Sequence, residues 1–564
     1  MFAGNFDRGP RMRPDSLLTA VLATTFAWTV SLAACSSGGN TADPGTADLA
    51  AGDSGDVAEV PAGDDGTGDE GTVLPQDVAV DTPPDVPPPV DPALRMRAAG
   101  WLSGDLHMHS NYQGGDDPVA TVVALAEYLQ SPEFLAFHPE YVGNPIDFIA
   151  LTDHRMVTQN SDPDFHSDKV VLIPGDEFGS PGHAGLWGIT THVPHDPDGD
   201  GSTRDDYAAA VDGAHAQGAL YSINHPCLPN IPFPWDVRTH DAMEVWNTRW
   251  GLQGTPVSAD DLATWEAKNG AASPFFRRAV AFQDEGGSGQ FLRFYEAQLS
   301  VGVHVALVGG SDRHLLFAEG FPSTWVQAAT RDVAGILEGI RKRHTFVTRT
   351  PASATIEMRV DVAGNSFAMG DEVQVPAEGA EATVTLRVGR ANKGRVRLIR
   401  GTQAADDAAL ATTALGVVAF EAAIDGIDFT TTTTLTVHPG DWFYPVVHEP
   451  LVPEGLDPAL AASIPAKAAT LSLYTEQDYS PVIDALLEYI DQNVVLAPEQ
   501  CNPADWIATN AQCMAIDQNG MATFFFPDWI DRLLNVLTES GTASQWTMGA
   551  VGSAARCVPE PDAR

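Results

Sequence analysis

Short apolar segments alternate with amphipathic ones through the first half of the chain. Near-continuous apolar character is typical of strands that are buried on both faces of a parallel sheet or barrel. Six such strands are predicted, over residues 102–109, 146–151, 170–173, 219–223, 242–246 and 303–308. Helical spacing and end signals predict helices between them, over residues 119–130, 205–217, 259–269 and 331–343. Alternating strands and helices over this length favour a β/α barrel.

Local end signals define two of these helices. Asp117 is expected to be the N-cap of the first, with Pro118 in its first turn. Ser258 begins a variant capping box, and Gly270 is expected to close that helix.

The pattern changes after Pro351. Short alternating strands are predicted over residues 352–360, 382–388, 394–400, 417–423 and 432–437, separated by Gly, Asp and Asn. This pattern of short strands and turns suggests an antiparallel β-sandwich. Farther on, residues 481–492 and 526–537 are predicted to be helical.

The N-terminal segment is predicted to be an export signal. Arg8, Arg11 and Arg13 precede an apolar run at 17–32, which is followed by Ala-Ala-Cys ending at Cys35. This arrangement resembles the bacterial lipoprotein box, in which the cysteine becomes the lipidated first residue. The alternatives are an ordinary secretory signal or a lone membrane helix, for which the run is short. Ser36 favours the outer membrane, on its periplasmic or cell-surface face.

Residues 36–91 contain neither Lys nor Arg and are rich in Gly, Asp, Ala, Thr and Pro. Such a segment cannot bury enough apolar surface to fold and is expected to be a disordered tether. The predicted organisation is a signal at 1–35, a tether at 36–97, a barrel at 98–350, a sandwich-like domain at 351–455 and a helical, cysteine-containing segment at 456–564.

The charge balance excludes some partners. Lys plus Arg number 31 against 75 for Asp plus Glu, which gives a net charge of -44. Phosphate contacts need a basic surface, so nucleic acid and anionic membrane surfaces are not expected as partners, and contact with a membrane is expected only through the lipid on Cys35. A small-molecule substrate, even an anionic one, stays compatible because a local metal cluster can outweigh the overall field. No protein partner is inferred.

Candidate metal ligands lie at or near the ends of the predicted strands. His107 and His109 project to the same face of the first strand because side chains alternate along a strand. The other candidates are His154, Glu177, His183, His225, Asp312 and His314. In a β/α barrel the carboxyl ends of the strands meet at one face, where catalysis takes place. Imidazoles and carboxylates together suit zinc, manganese or iron.

These motifs resemble the polymerase-and-histidinol-phosphatase (PHP) family. They run Asp-Leu-His-Met-His-Ser at 105–110, Thr-Asp-His at 152–154, Gly-Asp-Glu at 175–177, Gly-His at 182–183, Asn-His-Pro at 224–226 and Gly-Ser-Asp-Arg-His at 310–314. They are most similar to the exported branch that includes carbaryl hydrolase. The resemblance implies a distorted (β/α)7 barrel. It also implies two or three divalent ions. The sequence pattern places the sandwich-like domain and a short helical tail with a disulfide after the barrel.

The resemblance also implies a role for each ligand. The first ion would be held by His107, His109, Glu177 and Asp312. Glu177 would bridge to a second ion, held also by His183 and His225. His154 and His314 would hold a third ion or act on substrate and protons. The family often has another histidine where this chain has Gly115, so two ions are expected and three are the alternative.

Residues beside the ligands have expected roles as well. Arg155 and Arg313 adjoin ligands, and a guanidinium there could hold a phosphate or carboxylate. Asp105 and Asp153 are expected to orient ligands. Asp312, His314, His154 and Arg155 form the expected catalytic set.

Several assignments stay open in the sequence. His192 and His195 are alternatives to His183 at the second ion. Glu244 either points into the barrel or lies at its rim, whereas His304 is expected in the core. Cys227, two residues past His225, is expected to pack rather than bind metal.

A calcium loop is a further candidate site. Asp196, Asp198 and Asp200 alternate as at the start of such a loop, but Tyr207 stands at the twelfth position, where a glutamate is usual. Asp205 or Asp206 would have to substitute, and an ordinary acidic turn is the alternative.

The expected function is that of a metal-dependent hydrolase, most consistent with a phosphoesterase. Cleavage of a carbamate, ester or amide at the same site is an alternative. A lipid-anchored, metal-containing binding protein without turnover is another. The ligands of the first two ions are all present, which argues against lost activity.

Cys501 and Cys513 are expected to form a disulfide, because an exported protein enters an oxidising compartment. Closing so short a loop should stabilise the tail by about 3 kcal/mol in the chain-entropy account. The partner of Cys557 is left open. Peptide mapping without reduction should recover the two peptides joined; two free thiols in oxidised protein would contradict the pairing.

Overall fold

The computed structural model describes residues 91–113, 117–137, 141–199, 201–228, 231–247, 256–313, 320–452, 514–516, 522–524 and 546–560. Cys35, Cys501 and Cys513, the helices predicted at 481–492 and 526–537, and the segment before residue 91 lie outside these residues. Of the cysteines that are described, Cys227 and Cys557 are buried free thiols. Among the helices described here, none has the length and apolarity that a membrane span requires.

The first part of the chain contributes nine strands. They are β1 Trp101–Met108, β2 Phe148–Leu151, β3 Val171–Phe178, β4 Ala184–Trp187, β5 Leu220–Ile223, β6 Ala242–Asn247, β7 Ala306–Gly310, β8 Ser323–Gln327 and β9 Thr345–Thr348. The helices are α1 Pro92–Ala98, α2 Val119–Tyr128, α3 Pro132–Phe137, α4 Arg204–His215, α5 Ala259–Asn269, α6 Pro274–Val280, α7 Gly286–Ser300 and α8 Val333–Arg341. Short 3-10 turns lie at Asn111–Gln113, Thr158–Ser161 and Gln283–Glu285.

These strands form a mixed sheet in the order β9-β8-β1-β2-β3-β4-β5-β6-β7. β1, β2 and β3 are parallel to one another, as are β5, β6 and β7. β4 lies between the two groups and is antiparallel to both neighbours, a strand that the sequence did not predict. The six predicted strands correspond to β1, β2, β3, β5, β6 and β7, although the last begins at Ala306 rather than at 303.

The segment after β7 lies against the end of β1. Asp312 N donates to His107 O at 2.9 Å, and His109 N donates to Arg313 O at 3.1 Å. Gly310 permits this approach, because a Cβ there would lie 2.4 Å from Cβ of His107. The two outermost parallel strands are therefore joined at the end that carries the candidate ligands.

The helix ends agree only in part with their signals. Ser258 and Asp261 form the expected capping box of α5, and Gly270 ends it with φ of +87°. For α2 the expectation is wrong. Pro118 occupies the N-cap position without a side-chain cap, and Asp117 accepts a hydrogen bond from the buried Arg313 instead. A buried guanidinium needs a carboxylate partner more than a helix end needs its cap.

The later strands are β10 Thr355–Val362, β11 Asn365–Ala368, β12 Glu372–Val375, β13 Ala380–Gly389, β14 Arg395–Thr402, β15 Val417–Ala423, β16 Asp428–Val437, β17 Asp441–Pro450, β18 Met514–Ile516, β19 Ala522–Phe524, β20 Trp546–Gly552 and β21 Ala555–Pro559, with the short helix α9 at Asp407–Leu410. One four-stranded sheet has the order β11-β10-β13-β16. The other strands, apart from the pair β18–β19, extend the large sheet, since β20 pairs with both β9 and β17. The fold is thus mixed α/β with one large sheet.

Residues 546–560 also brace β7. Ser553 Oγ accepts from Leu307 N at 2.9 Å, and Ala554 N donates to the hydroxyl of Tyr295 at 3.0 Å. His304 lies just before β7 with its ring buried, and its Nε2 is 2.7 Å from Ala554 O. The expected buried position of His304 is confirmed, although it precedes the strand rather than lying within it.

Helix α1 occupies residues that the sequence assigned to the tether. Asp91 caps it through Ala93 N and forms an ion pair with Arg390 at 2.7 Å. Met96 is fully buried, and Arg97 forms an ion pair with Asp147. The tether prediction, 36–97, is therefore wrong at its end, because residues 91–97 belong to the same compact unit as the sheets.

A chain that begins at Ala99 should be less stable than one that begins at Asp91. Burial of Met96 alone contributes about 1.5–3 kcal/mol. Chemical denaturation of both chains measures the difference. Arg95→Ala in the longer chain is the control, and loss of its partly exposed ion pairs should cost less than about 1 kcal/mol. Equal midpoints for the two chains would contradict the packing role of α1.

Candidate metal centre

The carboxylate of Glu177, near the end of β3, is surrounded by imidazoles. Its Oε1 lies 2.9 Å from His107 Nε2, 3.1 Å from His183 Nδ1 and 3.2 Å from His225 Nε2. Its Oε2 lies 2.6 Å from His154 Nδ1 and 3.6 Å from His109 Nε2. One carboxylate thus contacts all five histidines.

Asp312 supplies a second carboxylate on the same cluster. Its Oδ1 lies 3.2 Å from His109 Nε2 and 3.5 Å from His107 Nε2, and its Oδ2 lies 3.9 Å from His225 Nε2. Seven of the eight predicted metal ligands therefore come together. The eighth, His314, lies outside the described residues.

Strand ends bring these side chains together. His107 is in β1 and His109 follows it, His183 directly precedes β4, and His225 and Asp312 follow β5 and β7. Backbone pairing continues past the strands: His154 forms a parallel bridge with Glu177, and Asn224 N donates to His183 O at 3.0 Å.

Three residues here, none of them glycine, have left-handed backbone conformations. φ is +23° at His225, +51° at Asp312 and +54° at Arg155. Such conformations are uncommon for residues other than glycine and are maintained by the surrounding contacts. The chain therefore turns sharply just where it presents these side chains.

Burial and mutual charge set the protonation of the cluster. Burial alone would raise the pKa of Glu177, but the imidazoles of His183, His107 and His154 outweigh it and hold that pKa well below its usual range. Burial opposes protonation of His107, yet Asp312, Glu177 and Glu244 raise its pKa well above the ordinary value. Burial lowers the pKa of His109 and of His183. Glu177 is thus anionic, and the imidazoles of His109 and His183 favour the neutral form that binds metal.

The donors fit divalent ions. Three groups have ligand atoms within 4.8 Å of one another: His107, His109 and Glu177; His107, His225 and Asp312; and His154, Glu177 and His183. Nε2 of His107, Nδ1 of His183 and Oε2 of Glu177 are buried, and despite their short distances they make no well-aligned hydrogen bond among the described residues. Buried polar atoms are normally satisfied, so these imidazole nitrogens and this carboxylate oxygen suit coordination of zinc, manganese or iron.

Glu244 lies inside the cluster, which settles an open assignment. Its Oε1 is 3.1 Å from His107 Nδ1, the ring nitrogen opposite the one that faces Glu177. Its Oε2 accepts from His225 N at 2.9 Å and from Asn247 Nδ2 at 3.0 Å. A carboxylate on the far nitrogen fixes the tautomer and orientation of a ligand histidine.

The side-chain amides of Asn224 and Asn247 were not predicted from the sequence to lie at this site. Asn224 Nδ2 donates to Glu177 Oε1 at 3.2 Å, and Asn247 Nδ2 lies 3.4 Å from Asp312 Oδ2. Asn224 is the first residue of the Asn-His-Pro motif, and Asn247 lies three residues after Glu244, so these neighbours were the available signal.

Asp105 and Asp153 accept hydrogen bonds from the segments that carry the ligands. Asp105 accepts from the amides of His107, Ser311 and Gly320 at 3.1, 3.1 and 2.9 Å. Asp153 accepts from the amide and the hydroxyl of Ser110, both at 2.8 Å. These contacts hold the segments next to His107, His109 and Asp312 in place.

The alternative ligands have other partners. His192 Nδ1 is 2.8 Å from Asp176 Oδ2, and His195 contacts the ring of Phe178. Cys227 is buried with its sulfur 3.9 Å from Gln290 O, as expected for a packing residue.

The candidate calcium loop uses its oxygens internally. Asp196 accepts from the amides of Gly199 and Gly201, and Asp206 closes the capping box of α4 with Thr203. Asp200 lies outside the described residues. Asp206 is therefore committed to the helix rather than to an ion.

The two arginines differ sharply. Arg155 is exposed, and its Nη1 donates to Gly179 O at 3.4 Å. Arg313 is fully buried and paired with Asp117. Arg155 alone of the two has a guanidinium that solvent can reach.

Comparison with known proteins gives little further support. No known protein family matches the sequence. No curated protein matches it. A solved two-domain protein from Bacteroides vulgatus ATCC 8482, described as containing a predicted PHP-like metal-dependent phosphoesterase, is 17% identical with a TM-score of 0.28, covering 62% of this chain and 91% of its own. So weak a likeness carries no argument about fold or activity.

Glu244→Ala should lower the affinity for divalent metal roughly 10- to 100-fold, because His107 loses the partner that orients it. Titration with zinc in competition with a chromogenic chelator measures the affinity. Glu338→Ala, which removes a surface carboxylate on α8, should leave it unchanged. Full affinity in a folded Glu244→Ala protein would show that His107 is oriented by another group.

Proposed function

We propose that this chain is a metal-dependent hydrolase whose substrate is a phosphoester. The observation that carries the proposal is the Glu177 carboxylate, buried and contacted by five imidazoles with Asp312 opposite. A structural role alone does not account for so many ionisable groups at one buried point, because each costs free energy to desolvate. Perturbed, clustered groups of this kind are typical of active sites.

We assign His107, His109, Glu177 and Asp312 to a first ion, and Glu177, His183 and His225 to a second. The bridging position of Glu177 is supported by its two oxygens, which face different histidines. Divalent ions held here would polarise the substrate and lower the pKa of water towards neutrality.

His154 is assigned to the substrate side of the site. Its side chain is 26% exposed, whereas the side chains of the six residues assigned to the two ions are exposed by 8% or less. Glu177 raises the pKa of His154 against the opposing effect of burial. The ring can therefore carry a proton and deliver it to a leaving oxygen.

Arg155, directly after His154, is assigned to the anionic group of the substrate. Its guanidinium is exposed, and arginine matches phosphate or carboxylate geometry. This favours a charged phosphoester over a neutral carbamate, ester or amide.

The larger context is proposed as well. The pairing of β1 with the segment after β7 supports a distorted seven-stranded β/α barrel of PHP type. Strands β10 to β17 support a sandwich-like domain beside it. Export and lipid anchoring at Cys35 are proposed from the N-terminal sequence.

Metal-reconstituted protein should carry close to two ions and hydrolyse chromogenic phosphoesters. Glu177→Ala and Asp312→Ala should reduce hydrolysis to the background rate, because each removes an anionic ligand. A screen that finds cleavage only of carboxyl esters or carbamates would overturn the choice of substrate. Absence of bound metal after reconstitution would overturn the whole assignment.

His154→Ala should lower kcat roughly 100-fold or more while metal content stays at the wild-type value, as expected for loss of an acid–base group. His215→Ala is the matched control, since that histidine pairs with Asp241 at the surface. Loss of one ion in His154→Ala protein would instead make His154 a ligand of a third metal.

A further inference from the structure

The side chain of Arg313, which follows Asp312, is fully buried and forms an ion pair with Asp117. Its Nη2 donates to Oδ2 of Asp117, a carboxylate exposed by only 2%. A buried ion pair is a poor means of stabilising a protein, because apolar side chains of the same volume often serve as well. A role in placing neighbouring groups accounts for its presence better.

The backbone of Arg313 is part of the metal centre's frame. Arg313 O accepts from His109 N at 3.1 Å, and Asp312 N donates to His107 O at 2.9 Å. Met108 and Arg313 form the parallel bridge between these two bonds. Three proposed ligands, His107, His109 and Asp312, therefore depend on one short backbone ladder.

Asp117 is hydrogen-bonded through its backbone to the segment that follows His109. Its carbonyl accepts from Asn111 N at 2.8 Å, which fixes the turn that follows His109. The ion pair thus connects this turn to Asp312, whose φ of +51° must be enforced by its surroundings.

We propose that the Arg313–Asp117 ion pair is a positioning element of the metal centre, which holds Asp312 in its left-handed conformation against the turn after His109. The inference rests on the proposed metal centre. It also removes Arg313 from the residues expected to bind substrate, because its guanidinium is engaged by Asp117.

Cobalt binding to the full chain tests the proposal, since the visible absorption of Co²⁺ reports ligand geometry without any substrate. Arg313→Met should weaken Co²⁺ binding roughly 10- to 100-fold and lower the melting temperature, because the buried Asp117 carboxylate loses the guanidinium charge beside it. The double variant Arg313→Met/Asp117→Asn removes both charges and should regain most of the melting temperature. Its Co²⁺ affinity should stay at least roughly 10-fold weak, with an altered spectrum.

Arg349 and Glu449 provide the matched control, a buried pair 3.3 Å apart between the segment after β9 and β17. Arg349→Met/Glu449→Gln should change the melting temperature and leave the Co²⁺ affinity and spectrum as in the wild type. Arg313→Lys, which keeps the charge, should restore part of the affinity.

Wild-type affinity and spectrum in the Arg313→Met/Asp117→Asn protein would overturn the proposal, and so would equal weakening by the control pair. Failure of the wild-type chain to bind Co²⁺ is a separate result, which would contradict the proposed function itself.

Discussion

The structure depends on one buried carboxylate. Glu177 has no contact with solvent, yet the surrounding imidazoles keep it ionised. The free energy of burying an isolated carboxylate anion at this depth would be too high. Protonating all five imidazoles around it would make the rings repel one another. Divalent cations held here would resolve both problems at once, since they would neutralise the carboxylates and accept lone pairs from neutral rings.

The groups behind the ligands hold this arrangement in place. Glu244 takes the far nitrogen of His107 and the backbone amide of His225, so one carboxylate fixes parts of both proposed ion sites. Asp105 ties the end of β1 to Ser311 and Gly320. A rigid frame of this kind suits a centre in which small displacements of a ligand matter.

The sequence predicted best those site residues whose placement follows from their position within or at the end of a strand. The alternation that places His107 and His109 on one face, and the position of His154, His225 and Asp312 at strand ends, were enough to predict that they meet.

Glu244 could not be assigned by alternation, because the pairing of β6 with β7 shifts register between Glu244 and Trp246. β4 was missed because its four residues carry no periodic pattern. Helix α1 was not predicted because it follows a Pro-rich run, although Asp91 before Pro92 is itself a helix-start signal. The position of β17, which contains Pro445 and Pro450, depends on partners far away in the chain, which no local pattern records.

The contact of Ser553 with β7 affects the order in which the protein folds during its synthesis. Leu307 and Ser553 are 246 positions apart in the chain, and the strand they brace leads directly to Asp312. A nascent chain on the ribosome has all its motif residues long before it has residues 546–560. Contacts of such long range form late, because loop closure must precede them. The strand that presents Asp312 thus gains its full support only after the distal β segment has been made, which links maturation of the centre to completion of the large sheet.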